Sequence, residues 1–105
     1  MTVVTFKYDE DGLLKGFCAS GHAGFRKRGS DIVCAAVSIL TVNFVNSVDK
    51  LTDAHYKGEQ DEKKGYLNID VIEYNRSDIQ LLFNSLKLGL EEISKNYSKY
   101  LQIDK

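Results

Sequence analysis

The chain has 105 residues, 43% hydrophobic and 28% charged, with a formal net charge of −1. Those proportions fit one soluble globular domain over residues 1–105, and the near-zero charge excludes a protein that grips nucleic acid over its whole surface. Two cysteines are too few to staple a secreted scaffold, so both are expected as free thiols in a cytoplasmic protein.

Met1 to Tyr8 alternates, without the charged start and apolar run of a secretory leader. Thr2 to Tyr8 reads as a strand with Val4, Phe6 and Tyr8 on one face. Asp9-Glu10-Asp11-Gly12 marks a turn, and Leu13 to Ser20 completes a hairpin in which Cys18 alternates with Leu14 toward the core. Residues 21–30 read as a glycine-containing basic loop. A helix then starts near Ser30 or Asp31, both good N-caps, and runs to Leu51. Its apolar residues cover most of the circumference, which predicts burial on more than one side and hints at a second subunit. The stretch Ile32 to Val48 is broken by Ser38, Thr41, Asn43, Asn46 and Ser47, which makes it a poor membrane span.

Ala54 to Gln60 and Tyr66 to Glu73 form a second strand pair around the turn at residues 61–65. A second helix, Arg76 to Tyr97, is capped by Ser77 or Asn75 and carries an apolar stripe from Ile79 to Tyr97. Tyr100 to Ile103 is a candidate short strand. The order ββαββα predicts an α+β layered domain with a mainly antiparallel sheet and two helices; it leaves the strand order open.

The chemistry concentrates in "GHAGFRKRGSDIVCAAVS", residues 21–38. With Asp31 as N-cap, Cys34 occupies the third helical position, where unsatisfied amides and the helix dipole favour a thiolate and could hold an oxyanion. His22 lies across the loop, so a Cys–His nucleophile and base pair is one reading. Gly21 and Gly24 beside it permit unusual backbone angles. Asp31 and Ser38 share the helix face of Cys34. Asp31 either orients His22 or binds substrate, or else caps the helix; Ser38 is either near the site or a small residue bonded back to its own helix. The competing account is a surface loop followed by a packed cysteine.

Other chemistries fit less well. Cys18, His22, Cys34 and His55 could ligate zinc, but C-x3-H is not a usual metal hook. No phosphate-cradling signature occurs, and Leu40 stands where a cysteine phosphatase loop needs arginine. The run Arg26-Lys27-Arg28 is short, with only Phe25 for stacking, so direct nucleic-acid binding is not expected.

The same stretch resembles the signature of the bacterial ribosomal-processing cysteine protease family, Prp, through its GHAG element and the D-I-V-C-A-A-V-S helix start. The element order and length resemble that family over essentially the whole chain. The resemblance implies a cysteine endopeptidase with Cys34 as nucleophile and His22 as general base and acid, with neither metal nor cofactor. Gly21, Asp31 and Ser38 stand as supporting positions. It further implies a homodimer, an apolar subsite for an aromatic-rich segment, and a substrate. That substrate is the N-terminal extension of the precursor of ribosomal large-subunit protein twenty-seven, whose removal supports ribosome assembly. The rival reading is a non-catalytic ribosome-associated binding protein.

Overall fold

The computed structural model describes the backbone of residues 1–21 and 28–104, and the side chains of residues 1–21 and 32–104. Strands β1 (Thr2–Tyr8) and β2 (Leu14–Ser20) form the first hairpin. Its turn is held by Asp9, whose Oδ1 accepts the N–H groups of Asp11 and Leu13 at 2.9 Å each. Helix α1 (Arg28–Leu51) follows, then β3 (Tyr56–Asp61), β4 (Tyr66–Val71), α2 (Ser77–Asn96) and β5 (Leu101–Asp104). The expected ββαββα order therefore holds, with the candidate tail strand added. The sheet runs β3-β4-β2-β1-β5. Every neighbouring pair is antiparallel except β1 with β5, which is parallel.

A register slip in the first hairpin decides where Cys18 goes. Lys7 faces Gly16, but Tyr8 faces Leu14, so Lys15 is an extra residue on β2. One inserted residue inverts the alternation beyond it. Phe17 and Ala19 consequently join Leu14 on the helix-facing side, opposite Phe6 and Val4. Cys18 pairs with Thr5 and Asn68 on the other face and is only half-buried. The sequence expectation that Cys18 shares the core with Leu14 is thus incorrect, because a bulge carries no strong compositional signal.

The helix-facing side of the sheet meets both helices. From α1 it receives Val33, Val37, Phe44 and Val48; from α2, Ile79, Phe83, Leu86 and Leu90. Four rings run through this core in contact. Phe6 meets Phe17 at 6.4 Å between centroids, Phe17 meets Phe44 edge-on at 5.6 Å, and Phe44 meets Phe83 at 4.6 Å. The run links β1, β2, α1 and α2.

Burial of α1 is confined to one stripe. Ile32, Ile39, Val42 and Leu51 are exposed, so within one chain the helix is not covered on several sides as its composition predicts. By length and composition alone Ile32–Leu51 is apolar enough to cross a membrane, despite its polar interruptions. Its buried stripe is instead packed in the core described above. Helix α2 also departs from expectation at its start. Arg76 is the N-cap, extended at φ −141° and ψ 144° with no side-chain capping bond, so neither Ser77 nor Asn75 caps it. Asp78 in the first turn compensates by accepting from the Ile79 N–H and from Arg76.

Because Phe44 joins the sheet rings to Phe83, truncation opens a cavity at the meeting point of three elements. Phe44→Ala is expected to cost about 3–5 kcal/mol of unfolding free energy, measured by urea denaturation against the unsubstituted chain.

Candidate active site

Cys34 is the seventh residue of α1, because the helix begins at Arg28 and not near Ser30 or Asp31. Gly29 and Ser30, poor helix formers, are nonetheless helical. Asp31 therefore lies within the first turn and is not the N-cap. Cys34 lies one turn further along than its sequence reading placed it. Within the helix, the backbone N–H groups without intrahelical acceptors belong to Arg28, Gly29 and Ser30. Side chains in a helix lean toward its N-terminus, so Cys34 is directed back over that turn.

The half-buried Cys34 lines a groove of about 290 Å³ at one end of the helix–sheet interface. Gly21, Ser38, Thr41, Leu67 and Tyr66 line it as well. Two of the predicted supporting positions, Gly21 and Ser38, are thus brought to Cys34. Ser38 is exposed one turn after the cysteine. His22 and the Asp31 side chain lie outside the described residues.

Gly21 follows β2 directly, with a backbone that few other residues could adopt. Its φ is +126°, and a Cβ there would lie 2.1 Å from the Met1 carbonyl oxygen. Its N–H donates to the Gly65 carbonyl at 3.1 Å. The chain leaving β2 is therefore clamped between Met1 and the β3–β4 turn.

The groove continues away from Cys34 along α1. A second cavity of about 280 Å³ shares Thr41, Val42, Gln60 and Leu67 with the first, and adds Val45, Tyr56, Gly58 and Ile69. Its cause is geometric. Tyr56, Gly58 and Gln60 of β3 pair with Val71, Ile69 and Leu67, placing them on the helix-facing side. Yet α1 does not cover β3, and all three remain exposed. The overhanging hairpin and α1 make the two walls of a trough, with Gly58 as a gap in its floor.

One contact at Cys34 was not anticipated from the sequence. The Thr2 hydroxyl oxygen lies 3.9 Å from the Cys34 sulfur. The signal was present: Thr2 is in phase with Val4 and Phe6 and so faces the helices.

Of the candidate zinc ligands, the described ones, Cys18, Cys34 and His55, are not brought together. Cys18 lies on the sheet face opposite the helices, where its thiol and partial burial push the Tyr66 phenol above its usual range, burial contributing most. Both cysteines are free. His55 precedes β3 and binds Glu73 through Nδ1 at 2.6 Å. Among the described residues no group of three or more His, Cys, Asp and Glu side chains is arranged to hold a metal.

A family model described as "Cysteine protease Prp" matches residues 1–102. A ribosomal processing cysteine protease Prp of Staphylococcus aureus strain Mu50 is 25% identical over 104 residues, covering 99% of this chain and 98% of that protein. One of the same name from Bacillus subtilis strain 168 is 29% identical over 107 residues, covering 98% and 96%. Among solved structures, SMU.848 from Streptococcus mutans superposes with a TM-score of 0.90 at 34% identity, over 99% of this chain and 92% of that one. The S. aureus protease Prp with a covalently linked product peptide superposes with a TM-score of 0.89 at 25% identity, over 99% and 98%.

Two stability measurements test the geometry, one at the groove and one at the His55–Glu73 pair. Gly21→Ala must relieve the contact with Met1 and leave the left-handed region. A loss of about 1–3 kcal/mol is expected in chemical denaturation. The second concerns His55. Hydrogen bonding to Glu73 raises the imidazole pKa above its ordinary 6.5, and the same bond lowers that of Glu73. The histidine's contribution is full below its unfolded pKa and is lost as pH rises through the raised folded value. The glutamate's is lost on acidification through its lowered value. The ion pair therefore acts in the mildly acidic range. His55→Gln is expected to lower the thermal midpoint slightly near pH ~6 and to leave it unchanged near pH ~8, by scanning calorimetry.

Proposed function

The chain belongs to the Prp family of cysteine proteases, and from that membership we propose that it is a ribosomal-processing endopeptidase with Cys34 as nucleophile and His22 as general base and acid. The observation that carries this reading is the shared groove. Cys34 opens onto it, and Gly21, covalently next to His22, lines it. A clamped Gly21 fixes where the chain bearing His22 departs.

The reaction is acyl transfer. His22 takes the proton from the Cys34 thiol, and the thiolate attacks the scissile carbonyl carbon. Negative charge moves onto the carbonyl oxygen, for which the free amides of the first turn of α1, Arg28 through Ser30, are the donors. Collapse of the tetrahedral intermediate breaks the C–N bond, and His22 gives its proton to the leaving amine. Water, activated by His22, then cleaves the thioester and releases the acid. Neither a metal nor a cofactor enters any step.

The substrate is the N-terminal extension of ribosomal large-subunit protein twenty-seven, cut in the cytoplasm during ribosome assembly. The relatives' names place them in ribosomal processing, and the S. aureus protease has been solved with a covalently linked product peptide. The trough supports an extended peptide. Cys34 and Val45 are separated by about 16 Å of helix, the reach of about five extended residues. Val42, Val45, Tyr56, Leu67 and Ile69 give it the apolar lining that an aromatic-rich segment requires. The exposed apolar residues Ile32, Ile39 and Val42 on α1 support a homodimer.

The test is cleavage of a peptide spanning the end of that extension, followed by mass spectrometry. Cys34→Ala and His22→Ala are each expected to reduce kcat by about 10³-fold or more. Continued cleavage by Cys34→Ala would overturn the assignment of the nucleophile.

A further inference from the structure

Thr2 is 7% exposed, and its place is fixed by the backbone. Its N–H donates to the Tyr100 carbonyl at 2.9 Å, and it pairs with Leu101 of β5. The strand phase turns its side chain toward α1, where the Cys34 sulfur lies 3.9 Å from Oγ1. Among the described residues no buried side-chain nitrogen or oxygen lacks a partner. The partner that the structure gives the Thr2 hydroxyl is this sulfur.

With a neutral thiol, either group can donate. Once Cys34 is ionised, only the hydroxyl retains a proton, so the bond must run from Thr2 to sulfur. A donor aimed at an anion favours the anionic form and fixes its position. We propose that Thr2 is a positioning residue for the nucleophile, holding the Cys34 thiolate against β1 by donating its hydroxyl hydrogen. The proposal rests on the reading of Cys34 as the nucleophile. It adds a third group to the site, from the strand paired with the one whose chain leads on to His22.

Valine has the branched shape of threonine and suits a strand, but cannot donate. Serine donates but lacks the methyl group. Thr2→Val, Thr2→Ser and Cys34→Ala are therefore compared with the unsubstituted chain in two assays. The first is site-resolved iodoacetamide alkylation at neutral pH, read by mass spectrometry, with Cys18 as internal reference. The second is steady-state cleavage of the extension peptide.

Thr2→Val is expected to slow alkylation of Cys34 about three- to tenfold, leaving Cys18 unchanged. It is expected to lower kcat by a similar factor with KM within about twofold, while Thr2→Ser stays within about twofold in both assays. Unchanged alkylation and kcat in Thr2→Val would overturn the proposal. So would an equal loss in Thr2→Ser, which would assign the effect to packing of the methyl group. Cleavage by Cys34→Ala would instead remove the nucleophile reading, a result distinguishable from either.

Discussion

Everything at the groove depends on the rotational phase of α1. Val33, Val37, Thr41, Phe44 and Val48 recur at spacings of three and four and are all buried. Thr41 is accommodated in that stripe because its hydroxyl donates to the Val37 carbonyl at 2.9 Å. Cys34 stands between Val33 and Val37 in sequence but one step around the helix. A core that seats the valines therefore leaves the sulfur at the margin of the interface, half-buried and open to the groove. A rotation large enough to bury Cys34 would lift Phe44 from its contacts with Phe17 and Phe83. The aromatic run is thus a constraint on the chemistry as well as on stability.

The sheet supplies the other half of the arrangement. Antiparallel pairing of β2 with β1 and β4 sets the level at which Gly21 leaves the sheet, and the Met1 carbonyl and Gly65 fix its direction. The hairpin β3–β4 overhangs α1, so the sheet provides a wall of the trough with no additional element. A small α+β domain can in this way bound an extended groove while keeping a single core.

How much of this could be read from the residues differs by kind of information. The two hairpins and the α2 stripe were legible because alternation and helical spacing act locally. The site stretch was legible because its residue types are unusual together. The start of α1 is not legible because Ser30 and Asp31 carry strong capping preferences, yet the helix begins at Arg28. Their local signal was overridden, with Gly29 and Ser30 both taken into the helix. The face of Cys18 is not legible because the inserted Lys15 reverses the strand phase without changing its composition. The strand order, the uncovered side of β3 and the meeting of Thr2 with Cys34 depend on partners distant in the chain. The last of these joins positions 32 residues apart.

The parallel pairing of β1 with β5 has a bearing on how the molecule is made. Synthesis proceeds from the N-terminus, so β1 and its hairpin partner exist while the chain beyond α2 does not. Until β5 is added, β1 is an edge strand with its backbone groups unpaired on one side. Thr2 also lacks the Tyr100 and Leu101 contacts that fix it. Closing that pair spans nearly the full described chain, the slow, long-range class of contact in a folding reaction. The strand beside the candidate nucleophile is therefore among the last parts of the domain to become fixed, and a nascent chain lacks the finished site.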